Sequence, residues 1–161
     1  MTMSRIPCPR PLPLLLAVAL ALAAAPVLSA QEGTDASPSA TGNPVVDARL
    51  ADINVYAARY PDAFVDELVR YFDAPRSLID ELLKKGRHAP ADLYYACALA
   101  RVSGRPCRGV IEAREAAADG GDWAAIASRL GVQPGSAREK RLREGMVESY
   151  ARWARPLPDA D

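Results

Sequence analysis

The chain has 161 residues with 20 basic and 20 acidic side chains, a balance that excludes both a polybasic nucleic-acid binder and an acidic solvating tail. Half of its residues are hydrophobic, and a chain of this length holds one domain with a useful core rather than two.

The first thirty residues read as a signal peptide. Arg5 and Arg10 give a positive start, Leu12 to Ala25 is free of polar side chains, and Ser29-Ala30 precedes the polar Gln31-Glu32-Gly33. Charge, a short apolar stretch and a small-residue exit are what an export signal needs. An uncleaved anchor would want about 20 apolar residues, and here Pro26 interrupts a shorter run. Cys8 lies before the apolar run, whereas a lipidated cysteine follows it. Cleavage near Ala30 leaves 131 residues with 18 basic side chains against 20 acidic, since Arg5 and Arg10 are lost. The expected product is periplasmic or secreted, away from ATP, NAD and the chromosome, with no stable membrane insertion after cleavage.

Residues 31–42 are rich in Ser, Thr, Gly, Ala and Pro and read as a flexible leader. A helical domain is expected over 43–155. Asn43 caps its first helix, Pro44 suits the first helical position, and Val46, Leu50, Ile53, Ala57 and Tyr60 form one apolar stripe. Pro61 separates that helix from a second carrying Phe64, Val65, Leu68 and Phe72. After Asp73-Ala74-Pro75, a third bears Leu78, Ile79, Leu82 and Leu83 and stops at Gly86.

From Ala91 to Ala100 only Asp92 interrupts Ala, Leu, Tyr and Cys. A helix apolar on every side is buried on every side, so the segment 91–102 should run through the middle of the domain. Ser103-Gly104-Arg105-Pro106 ends it. Val110, Ile111 and the alanines to Ala118 predict a fifth helix, and Asp122 caps a sixth with Trp123, Ile126, Ala127 and Leu130 on one face. A last helix reaches about Ala154 with Leu142, Met146, Tyr150 and Trp153 as its stripe, and 156–161 reads as a disordered tail. No segment alternates with period two. The fold class is therefore all-α, a compact orthogonal bundle of six or seven short helices around a buried central one. A weak internal echo at a spacing of 58 to 59 residues pairs Val65, Leu68, Phe72, Pro75 and Ser77 with Trp123, Ile126, Leu130, Pro134 and Ser136.

Export leaves Cys97 and Cys107, an even count in an oxidising compartment. A bridge would stabilise the fold by about 2–3 kcal/mol. Facing helices sit roughly 8–10 Å apart, however, and a bridge needs Cα atoms within about 7 Å. Two buried free thiols are the alternative.

Arg138, Lys140, Arg141 and Arg143 form the basic cluster. Glu139, Glu144 and Glu148 stand four residues from Arg143, Lys140 and Arg152, the ladder of a solvated helix face. The same cluster is the candidate patch for an acidic partner or an anionic envelope surface. Met146, Tyr150 and Trp153 are spaced for a core, with a docking face as the alternative. His88, the sole histidine, stands in a polar loop without neighbouring ligands or a nucleophile, and no serine occupies a Gly-x-Ser-x-Gly elbow. No catalytic, cofactor-binding or metal-binding residue is assigned, and no cofactor is expected.

DWAAIASRLGV, residues Asp122 to Val132, resembles the first half of a bacterial helix-turn-helix. The resemblance fades in the following helix, which offers Ala137 and Lys140 where the recognition helix should bury apolar side chains. Export also removes the DNA target, so no nucleic acid is expected. YFDAP, LIDELLKKG, LYYACALA and DWAAIASRLGVQPGS together resemble small exported helical proteins of Gram-negative bacteria whose role is not established. That resemblance implies a fold and a compartment and carries over no active-site residue. The reading is a non-enzymatic interaction module whose partner is another envelope protein; a small periplasmic hydrolase with carboxylates assembled by the fold is the alternative. Intact-mass measurement on the periplasmic fraction should find a species beginning near Gln31, and a full-length species there would refute cleavage.

Overall fold

The structure, a computed structural model, describes residues 40–117 and 121–158. The expected signal peptide, the leader up to residue 39, Ala118 and the end of the tail from 159 lie outside the described residues. Among the described residues there are seven helices and no strand: α1 (Pro44–Arg59), α2 (Pro61–Tyr71), α3 (Arg76–Lys85), α4 (Pro90–Ser103), α5 (Cys107–Glu115), α6 (Trp123–Arg129) and α7 (Ala137–Arg152). The architecture is all-α and built around α4.

Short polar side chains and proline set the helix starts. The Asn43 side chain accepts from the backbone N–H groups of Val45 and Val46, and Pro44 occupies the first turn. Asp47 reaches back to the Thr41 N–H (2.8 Å) and hydroxyl (2.7 Å), which anchors the entry to α1. The Asp122 carboxylate caps α6 at Ala124 N. Ser136 caps α7 at Glu139 N, and the Glu139 carboxylate accepts from Gly135 N (2.8 Å), a variant of the reciprocal capping box.

Two helices end earlier than the sequence pattern suggests. α5 stops at Glu115 because its last turn tightens, with Ala117 N bonded to Arg114 O at 3.1 Å. α7 stops at Arg152, and Ala154 then adopts a left-handed backbone with φ 50°.

α4 packs against α1, α5 and α7, while α2 packs on α1 and α3, and α6 on α5. Every residue from Ala91 to Ala100 is buried, as its composition requires. The two halves of the internal echo are used differently: α2 lies directly on its follower α3, whereas α6 packs chiefly on α5.

Cys97 and Cys107 are paired as a disulfide, their Cα atoms 4.5 Å apart. Gly104 closes α4 with φ 68°, and the short connection lets α5 double back along α4. The helix-to-helix distance that argued against a bridge applies to bulky contacts, and α4 is lined with alanine. Mature protein denatured without reductant should show no alkylatable thiol at either position. Reduction should lower stability by about 2–3 kcal/mol in urea melts, as the chain-entropy model gives for a loop of this length.

Candidate functional site

The inward face of α7 is Leu142, Met146, Ser149 and Tyr150, all buried. Met146 is 0% and Tyr150 1% exposed, so neither offers docking surface. Trp153 is half-buried and stacks on Tyr56, with ring centroids 4.2 Å apart, beside Tyr150 and Tyr94. A face made of these three side chains is therefore closed by the domain's own core.

The basic cluster on α7 does not act as one patch. The Arg143 side chain runs along its own helix, with Nε 3.4 Å from Glu139, while its backbone carbonyl accepts from Arg49 Nη1 of α1 (3.3 Å). Lys140 is spread along the surface toward Glu144 at 3.9 Å. Arg138 and Arg141 instead reach a groove between α4 and α7, where Arg101 from the last turn of α4 joins them. Composition could not place Arg101 there, because the two helices meet only in the folded chain.

The groove measures about 670 Å³, within the range of roughly 300–1,000 Å³ typical of binding sites. Phe72, Ala98, Val102 and Leu142 supply its apolar lining; Arg101, Arg138, Arg141, Glu144 and Glu148 its charge. Arg101 donates to the Tyr71 carbonyl and lies 5.6 Å from the centre of the Phe72 ring. Arg138 donates to the Leu130 carbonyl at 3.4 Å. Carbonyls orient these guanidiniums without neutralising them. Glu144 meets Lys140 at 3.9 Å and Glu148 meets Arg152 at 3.7 Å, but Arg152 is already held by Glu67; neither cation lines the groove, where three arginines stand against two glutamates. The groove therefore carries an excess of positive charge.

Three carboxylates elsewhere hold helices together. Glu67, 4% exposed, takes the Arg152 guanidinium and the Ser149 hydroxyl (2.7 Å), and Ser149 meets the Tyr94 hydroxyl at 2.8 Å. Asp92 accepts from Trp123 Nε1 and pairs with Arg114, both at 2.8 Å. Asp52 is bound by Arg155 and by the Tyr150 hydroxyl at 2.8 Å. The Arg155 hydrogen bond holds the Asp52 carboxyl below its usual range against the opposing effect of burial. Desolvation raises the hydroxyl pKa of Tyr94 and Tyr150, so both stay neutral donors. Arg155 thus ties the end of the helical domain back to α1, at the edge of the segment read as a tail.

His88 is more enclosed than a polar loop suggests. Its side chain is 10% exposed, with Nε2 2.8 Å from Glu115 at the end of α5. Among the described residues, no group of three or more His, Cys, Asp or Glu is placed to hold a metal ion.

No family model, curated protein or solved structure matches the chain at a significant level. A functional reading therefore rests on its own geometry.

Gly145 also lines the groove, in the middle of α7. A Cβ added there would meet nothing within 4 Å, so packing does not require glycine. A glycine inside a helix costs about 0.5–1 kcal/mol relative to alanine. Gly145→Ala should therefore raise stability by about that amount, seen as a higher urea midpoint; a lower midpoint would mean that the fold itself needs this glycine.

Proposed function

We propose that the protein is an exported, non-enzymatic interaction module of the bacterial envelope, and that its docking face is the groove between α4 and α7. The observation that carries the docking reading is a helical glycine beside uncompensated guanidiniums, in a place where the fold has room for alanine. Structural economy would fill such a position. A surface kept open for another chain would not.

Support for export comes from the signal pattern of residues 1–30 and from the Cys97–Cys107 pair, which suits an oxidising compartment. Among the described residues no helix is long and apolar enough to cross a membrane. The likeness of YFDAP, LYYACALA and the neighbouring strings to small exported helical proteins points the same way.

A hydrolase reading would have to use Glu144 and Glu148, the carboxylates that line the groove. Acid and base roles arise when two carboxylates stand in contrasting environments. These side chains are 57% and 60% exposed, and each has a cation beside it. Their surroundings are too alike to divide the work, which favours binding over catalysis.

The test is affinity capture from envelope extracts with tagged mature protein and its Gly145→Leu variant. The parent should retain a partner that the variant loses while keeping the parent's melting temperature. Equal capture by both would remove the groove from the docking reading.

A further inference from the structure

Resting on that docking reading, we infer that the α4–α7 groove receives an extended peptide segment of a partner protein in which acidic side chains alternate with aliphatic ones. Three features of the groove define this occupant.

The first is the sign of its charge. The C-terminus of α4 and the N-terminus of α7 both reach the groove, and their opposite dipole ends offset each other. Side chains therefore decide the potential. Arg101 and Arg138 are oriented by carbonyl oxygens, Arg141 makes no ion pair or hydrogen bond among the described residues, and these three guanidiniums outnumber Glu144 and Glu148, the first of which also has Lys140 beside it. A guanidinium presents a planar fork of donors that matches a carboxylate.

The second feature is the apolar surface between those charges. Phe72, Val102 and Leu142 offer it to aliphatic side chains, which a purely polyanionic ligand would leave unused. The third is Gly145, where the missing Cβ lets a backbone approach α7 closely. A concave site with guanidiniums on its walls suits a single strand of chain, whereas a lipid surface would meet only the rim.

Fluorescence anisotropy on the full chain decides the matter with three probes: a labelled peptide alternating Glu and Leu, its Lys–Leu counterpart, and vesicles of phosphatidylglycerol. The Glu–Leu peptide should bind and the Lys–Leu peptide should not. Arg141→Glu should weaken binding by about tenfold or more. Gly145→Ala should weaken it without lowering the melting temperature, which separates an obstructed groove from a damaged fold. Equal binding of both peptides, or indifference to Arg141→Glu, would overturn the charge assignment. Vesicle binding that depends on Arg141 in the absence of peptide binding would overturn the peptide in favour of a membrane surface. If the Glu–Leu peptide fails while Gly145→Leu still abolishes capture from envelope extract, the acidic assignment is wrong and the docking groove stands. If capture is also indifferent to Gly145→Leu, both readings fall.

Discussion

A helical stretch buried on every side cannot leave its polar side chains to the solvent, and this constraint on residues 91–100 of α4 organises the rest of the molecule. Asp92 and Tyr94 lie within the all-buried stretch Ala91 to Ala100. A buried polar group without a partner costs on the order of 1–3 kcal/mol, and more if charged. Each therefore recruits partners from other helices. Asp92 draws Arg114 of α5 and Trp123 of α6, and the Arg114 guanidinium lies 4.4 Å from the centre of the Trp123 ring. Tyr94 meets Ser149 of α7, which in turn bonds Glu67 of α2, and Glu67 holds Arg152. Two polar residues on α4 thus place four other helices.

These contacts specify more than they stabilise. Removing two charges from water offsets much of what their attraction contributes, while breaking such a pair leaves a buried charge uncompensated. The networks therefore penalise alternative packings of α5 and α7 on α4. The Cys97–Cys107 bridge adds a covalent constraint to the closest of these contacts, where α5 doubles back on α4.

The contrast between this rigid frame and the groove is what gives the groove its meaning. Where carboxylates and guanidiniums are buried, they are matched. Between α4 and α7 the same arginine-rich composition is unmatched, and Gly145, a helical glycine that packing does not require, stands beside it. Surfaces tolerate charged side chains readily, so charge alone would say little. Charge together with a conformationally costly residue at an open position is a narrower signal.

Helix content, most helix boundaries and the central position of α4 were legible in the residues themselves. Those properties depend on local chemistry: caps such as Asn43 and Asp122, stops such as Gly86 and Gly104, and an apolar period that a single segment displays. The buried identity of Met146 and Tyr150 also follows from spacing. Other features depend on two distant segments meeting, and no local pattern encodes them. The α7 basic cluster looked like one patch because its residues are neighbours in sequence, yet Arg143 pairs with Glu139 along its own helix while Arg141 lines the groove with Arg101. Glu67 and Arg152 are 85 residues apart, and Asp52 and Arg155 103. The sequence by itself determined which stretches coil and which faces seek burial, because backbone capping and apolar period act within a few residues. Only the tertiary structure decided which charges are cancelled and which stand unpaired in the groove, because Coulomb pairing depends on distances that the chain sets when it folds.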